Sequence, residues 1–185
     1  MLPAVAAPPL SFLLRWLGGA TAADDADETE TVRRIAARLE RLPPDRARFL
    51  AAFAYVLARV AHADLRITET ETTAMERAVA EVAGLPPDET ALAVEIAKSQ
   101  ARLLGGTDNY VVTRRFRELS RREERVRLVE CLYAVAAADG TISTLESAEI
   151  ARITEELGFL PSEAVALRAP WRDRLAEMQG LPRSG

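Results

Sequence analysis

The amino-acid sequence predicts an all-α protein, a helical bundle of about seven to eight helices built from two pseudo-symmetric repeats. Apolar residues recur every three or four positions, as in the stripes of residues 49–60 and 126–136, which is the rhythm of a helix with one buried face. No stretch alternates apolar and polar residues over six positions, as a half-buried strand would. Prolines and glycines divide the chain into pieces of helical length.

Each helix is delimited by its own start or stop signal. The first ends before Pro43-Pro44, the third ends at Gly84, and the fourth ends before Gly105-Gly106. Asp139-Gly140 separates the sixth helix from the seventh, and the eighth, opened by Pro161, is interrupted at Pro170. On these signals we expect helices over residues 31–42, 44–63, 69–83, 86–104, 109–118, 121–138 and 144–157, and from residue 161 onward.

The 185 residues divide into three parts that differ in composition and in expected structure. Residues 1–30 are an apolar segment followed by an acidic linker, residues 31–178 form the helical domain, and residues 179–185 are a tail. The apolar segment is too short and too rich in proline to be a transmembrane helix. If residues 9–17 are helical, one face carries four bulky apolar side chains, which suits a membrane interface, a groove of the domain itself or a partner protein. Those side chains belong to Phe12, Leu13, Trp16 and Leu17.

The composition argues against an enzyme and against a dedicated nucleic-acid binder. The formal net charge is −4 and the sequence pI is about 5.2, whereas nucleic-acid-binding proteins are usually basic. The single cysteine, Cys131, excludes an internal disulfide and a thiolate zinc site. We expect it to be a buried core residue. The single histidine, His62, leaves little room for histidine-based metal or triad chemistry.

An internal repeat relates two segments of 27 residues at an offset of 75. The copies begin at Val60 and Val135, and each contains the motif A-x-A-D-x-x-I-[ST]-x-x-E. This motif, repeated across two helical hairpins, resembles the TerB-like family of tellurite-resistance proteins. The resemblance covers about residues 45–167, and the second copy is the closer match. It implies an all-helical fold, a bacterial stress-response setting, membrane-linked complexes and acidic residues that bind divalent metal.

The carboxylates of the motif have two interpretations. Asp64 and Glu71 flank the first loop, and Asp139 and Glu146 flank the second. Oxygen ligands at both ends of a short loop can converge on a divalent cation such as calcium. Alternatively, each glutamate forms a capping box with the hydroxyl residue three positions earlier, and Asp139-Gly140 is ordinary turn chemistry. Capping leaves the aspartate at both loop entrances only partly explained.

Two further groups are candidates for partner binding. Glu149 extends the acidic patch of the second copy. The arginine-rich stretch of residues 111–127 predicts a basic face for phosphates, anionic lipids or an acidic partner, or else a solvated pair of helices. Within that stretch Ser120 and Glu123 have the spacing of another capping box. The candidate arginines are Arg114, Arg115, Arg121 and Arg122.

Together these observations predict a non-enzymatic TerB-like module of a bacterial stress response that acts as a protein-interaction scaffold. Its partners would be proteins, including membrane-associated stress proteins, and a divalent cation at the acidic loops is its candidate cofactor. We expect it in the cytoplasm, with peripheral contact at the inner membrane. The alternative is a membrane-surface or nucleic-acid adaptor that uses the arginine-rich face of residues 114–127 and the apolar N-terminus. The oligomeric state does not follow from the sequence.

Overall fold

A computed structural model describes residues 26–61, 69–101 and 109–179 of the chain. Within these ranges the architecture is helical, as the sequence predicts, and the single extended contact is an isolated parallel bridge between Ile142 and Leu175. The helices are α1 (Ala26–Leu39), α2 (Pro44–Ala61), α3 (Glu69–Glu81), α4 (Pro87–Ala101), α5 (Asn109–Leu119), α6 (Arg122–Ala136), α7 (Thr144–Glu156), α8 (Pro161–Arg168), a 3₁₀ helix (Ala169–Arg174) and α9 (Ala176–Gln179).

Helix α2 is the central element of the bundle. It packs against α4, α5, α6 and α7, and every residue from Phe49 to Val60 is buried. A helix that is buried all round must be apolar all round, and Arg59 is the one charged residue of that stretch. Phe116 of α5 joins Phe49 and Phe53 of α2 in an aromatic cluster with ring centroids 5.2–6.2 Å apart.

The described part of helix α1 already covers residues 26–30, which the sequence predicts to belong to a linker. The linker prediction is therefore wrong for these five residues. Further along, Arg34 and Arg38 donate to the carboxylate of Glu95 at 2.8 and 2.9 Å. These ion pairs hold α1 against α4.

One helix bound inside the described ranges recurs with the spacing of the sequence repeat. Helices α3 and α7 end at Glu81 and Glu156, which lie 75 positions apart. The third helices differ, because α4 has 15 residues whereas α8 has eight and gives way to the 3₁₀ helix that contains Pro170. The predicted interruption at that proline is therefore confirmed. The pseudo-symmetric relation of the two copies in space stays a prediction.

The core runs through the middle of the bundle and includes Cys131, as expected. Burial raises the pKa of the Cys131 thiol to about 12, so the thiolate is not formed at neutral pH. Among the described residues, none of the helices combines the length and the apolar character needed to cross a membrane.

Candidate functional site

The loop of the second copy, residues 139–143, turns tightly at its acidic entrance. The Asp139 carboxylate accepts the backbone N–H of Thr141 at 3.0 Å. Gly140 has φ of +102°, a conformation that costs L-residues about 1–2 kcal/mol. The turn chemistry expected of Asp139-Gly140 is thus present, and the aspartate side chain takes part in it.

The far end of the loop is closed by the predicted capping box. Ser143 Oγ accepts the backbone N–H of Glu146 at 3.2 Å, and the Glu146 carboxylate accepts the backbone N–H of Ser143 at 2.8 Å. Each bond satisfies a backbone donor that the first turn of α7 leaves without an intrahelical partner. Capping therefore accounts for Ser143 and Glu146 in the second copy.

The C-terminal segment of the described chain fixes the middle of this loop. Ile142 N–H donates to the Arg174 carbonyl at 2.7 Å, and Ala176 N–H donates to the Ile142 carbonyl at 2.9 Å. The side chains of Ile142 and Leu175 are both buried in the core. The loop is therefore held from the bundle side, at its entrance and at its exit.

A rigid loop in this position presents one large apolar side chain to solvent. Leu145, in the first turn of α7, is 67% exposed, and it lies between the capping residues Ser143 and Glu146 in the sequence. Asp139 at the loop entrance is also exposed. We call Asp139, Leu145 and Glu146 the acidic loop surface.

Most of the first copy of the acidic motif lies outside the residues that the structure describes. Asp64, His62 and Thr68 lie outside the described residues, and for Glu71 only the backbone position in the first turn of α3 is described. Whether the two loops meet, as a shared metal site requires, therefore stays a prediction.

The described carboxylates do not by themselves form a calcium site. Calcium takes six to eight oxygen ligands, whereas Asp139 and Glu146 each already accept a backbone N–H. Across the described ranges no group of three or more histidine, cysteine, aspartate or glutamate side chains is placed to share one ion.

Glu149 faces the interior of the bundle. Its carboxylate accepts from Arg59 Nε at 2.8 Å, and its side chain is 18% exposed. The same guanidinium donates to Glu156 at 2.6 Å and to the Thr113 hydroxyl at 2.5 Å. Glu149 therefore extends a buried ion cluster that joins α2, α5 and α7.

Sequence reasoning missed this cluster. The available signal was Arg59 itself, a lone charge within an apolar run, because a charged side chain is rarely buried unless it is paired. Its partners Glu149 and Glu156 are 90 and 97 positions away, and no local pattern identifies them.

The arginine-rich stretch divides into paired and exposed side chains. Arg114 and Arg115 both contact Glu118, at 3.5 and 2.7 Å. The hydrogen bond from Arg115 is the main reason that the pKa of Glu118 is lowered. Arg122 pairs with Glu163 of α8.

Two more contacts are found in the arginine-rich stretch of residues 111–127. One is a stacking contact, and the other is a helix cap of α6 that differs from the cap predicted from the sequence. The Arg122 guanidinium lies over the Phe159 ring at 4.8 Å. Exposed Arg121 is the N-cap of α6, and its N–H donates to Glu124 at 2.7 Å. The cap predicted at Ser120 and Glu123 is thus wrong by one residue, because the Ser120 hydroxyl instead donates to the Phe116 carbonyl at the end of α5.

The comparisons with known proteins agree with this fold. A family model described as "Tellurite resistance protein TerB" matches residues 49–169. That match spans α2 from Phe49 through α8 and includes both copies of the repeat. No curated protein and no solved structure matches the chain. The match covers more than half of the 185 residues, and the chain belongs to the TerB family of tellurite-resistance proteins.

Proposed function

We propose that this chain is a non-enzymatic protein-interaction scaffold of a bacterial stress response of the tellurite-resistance type. The observation that carries the proposal is the acidic loop surface, where Leu145 is 67% exposed in the first turn of α7, directly after a loop that is held at both ends and in its middle. A preorganised surface loses little conformational entropy on binding, so more of its contact energy appears as affinity. The proposed partner offers an apolar recess for Leu145 and basic groups for the two carboxylates.

The non-enzymatic character is supported by what the polar groups of the loop do. Asp139, Ser143 and Glu146 each hold a backbone amide of the loop or of α7. These contacts stabilise a shape rather than prepare a nucleophile or a general base. We place the protein in the cytoplasm, where membrane-associated stress proteins can reach it from the inner membrane.

Affinity capture with the full chain tests this proposal. Leu145→Arg adds bulk and a positive charge where a basic partner would approach, so we expect it to lose the captured partners. Leu160→Arg is the matched control, because Leu160 is 63% exposed in the connection between α7 and α8. Equal recovery of the same partners by both variants would overturn the proposed surface.

A divalent cation at the acidic loops is the second candidate. It is supported by the position of Asp139 and Glu146 at the two ends of one fixed loop. A cation that binds only the native state raises the melting temperature. Metal-stripped protein is therefore melted with and without calcium, beside the Asp64→Asn/Asp139→Asn variant. A rise in melting temperature with calcium that the variant lacks would support a bound cation. If calcium causes no rise, the carboxylates of Asp139 and Glu146 have structural roles only.

The adaptor alternative, for a membrane surface or nucleic acid, has less support. Arg114, Arg115 and Arg122 each contact a glutamate of the same chain, which lowers the positive charge that the face offers to phosphates. A salt-dependent binding assay with anionic vesicles and with DNA would reveal such an adaptor.

A further inference from the structure

The C-terminal part of the described chain is attached to the bundle by few buried groups. Of the side chains described between residues 160 and 177, that of Leu175 alone is buried, with 2% exposed. Leu167 and Trp171 also pack against the core, but they are only partly buried. Segments with few buried apolar contacts open locally at a smaller free energy than core helices do. We therefore expect the residues around Leu175 to open before the core of the bundle.

Leu175 is also the point at which this segment reaches the acidic loop, through its parallel bridge with Ile142. The Arg174 carbonyl accepts the Ile142 N–H at 2.7 Å, and the Ala176 N–H donates to the Ile142 carbonyl at 2.9 Å. Ile142 is itself fully buried, and a buried backbone group without a hydrogen-bond partner is unfavourable. If residues 174–176 leave the bundle, both backbone groups of Ile142 lose these partners, and the loop is no longer fixed in its middle.

The two neighbours of Ile142 hold the carboxylates of the acidic loop surface. On one side, Thr141 donates its backbone N–H to the Asp139 carboxylate at 3.0 Å. On the other side, Ser143 donates its backbone N–H to the Glu146 carboxylate at 2.8 Å. A change of the backbone at Ile142 therefore moves the donors that orient both carboxylates, and it reaches the first turn of α7 through the capping box.

We infer that residues 174–176, which we call the latch, position the acidic loop surface for its partner. The docked latch holds the loop in one conformation, and the undocked latch releases it. Because coupling between two sites is reciprocal, a partner bound at the acidic loop surface in turn keeps the latch docked. The effect on binding rests on the proposed function, whereas the effect of the latch on the loop does not.

Ala176→Pro is a variant that acts on the contact between the latch and the loop. Ala176 is the first residue of α9, a position that tolerates proline. Leu175 has φ of −72° and ψ of 124°, in the region that a residue before proline prefers. Proline is therefore compatible with the backbone of the latch, but it removes the N–H and places a ring carbon against the Ile142 carbonyl. Ala176→Ser keeps the N–H and is the matched control.

Hydrogen–deuterium exchange of the full chain without a partner measures the effect on the loop. In peptides that cover residues 139–147, we expect Ala176→Pro to speed amide exchange about 2–10-fold, the equivalent of one lost hydrogen bond. Ala176→Ser should exchange as the wild type does. Unchanged loop exchange in Ala176→Pro would overturn the inference. An equal acceleration in peptides of α2 would also overturn it, because that result would mean global destabilisation rather than local release.

A second pair of variants changes the side chain that anchors the latch. Leu175→Ala removes the buried anchor, and we expect faster exchange in the loop peptides. Leu167→Ala makes the same chemical change at a partly buried leucine of α8, and it should leave loop exchange as in the wild type. Equal loop exchange in the two variants would contradict a latch centred on Leu175.

Affinity capture tests the consequence for binding. We expect Ala176→Pro to recover less of the partners that the wild type captures and Leu145→Arg loses, whereas Ala176→Ser should recover them fully. Full recovery by Ala176→Pro, together with faster loop exchange, would overturn the role of the latch in binding and leave the proposed function intact. If the wild type and Leu145→Arg capture the same proteins, the proposed function fails, and the exchange rates still decide whether the latch fixes the loop.

Discussion

The buried ion cluster around Arg59 leads to the sharpest stability prediction. Arg59→Leu removes the cation and leaves Glu149 and Glu156 near each other within the bundle. The Arg59 side chain is 2% exposed, and those of the two glutamates are 18% and 11% exposed. Water therefore screens the remaining carboxylates poorly.

The expected cost follows from removing one partner of a buried pair. Such a change destabilises proteins by about 3–5 kcal/mol, because it leaves an uncompensated buried charge. Since the two carboxylates retain some contact with water and Glu149 keeps its ion pair with Arg152 at 3.6 Å, we expect the lower end, about 3 kcal/mol. For a chain of this size that corresponds to a fall in melting temperature of about 6–12 °C.

Urea denaturation followed by circular dichroism measures this cost. The control is Arg77→Leu, because Arg77 and Glu81 form an exposed pair with side chains 76% and 64% exposed. That pair should contribute about 0–1 kcal/mol. The triple variant Arg59→Leu, Glu149→Gln and Glu156→Gln should recover part of the lost free energy of unfolding, since it removes all three charges. A loss no larger than that of the control would refute the reasoning.

Three further changes have defined outcomes. Ser143→Ala removes the side-chain cap of α7 and should lower the free energy of unfolding by about 1 kcal/mol, measured by urea denaturation. Gly158→Ala should cost about 1–3 kcal/mol in the same assay, because φ is +82°, a backbone conformation that is strained for any residue with a Cβ; a neutral result would contradict that conformation. The Leu160 N–H and then the Arg122 side chain hold the pKa of Glu163 below its ordinary 4.5. The contribution of Glu163 to the free energy of unfolding is therefore present above pH 4.5 and is lost as the pH falls from 4.5 through the lowered pKa. In thermal melts across this acidic range, Arg122→Gln should make the melting temperature depend less steeply on pH.

The parts of the structure that the sequence predicts well are local. The capping box of Ser143 and Glu146 depends on residues three positions apart, and the helix stop at Gly84 depends on one residue with φ of +66°. Gly84 and the interruption at Pro170 follow from backbone chemistry that each residue carries with it. These elements were accessible without knowledge of the tertiary structure.

The parts that escaped prediction depend on distant residues or on competing local effects. Arg59 finds its partners on other helices, and only the fold brings them together. The sequence predicts a linker over the acidic stretch before residue 31, whereas residues 26–30 of that stretch are already part of α1, because acidic residues are tolerated near a helix N-terminus as well as in a linker. The exposure of Leu145 depends on which face of α7 meets the core, and an isolated apolar residue near a helix start gives no sign of that.

Site-specific photocrosslinking at position 145 tests the proposed scaffold role most directly. A photoreactive amino acid replaces Leu145 in one protein and Val165, which is 68% exposed on α8, in a control protein. Both are expressed in a bacterium that encodes the protein, with and without tellurite. We predict that position 145 crosslinks to a distinct protein partner and that position 165 does not. Crosslinks of equal yield to the same proteins from both positions, or none from position 145, would contradict the proposed role of the acidic loop surface.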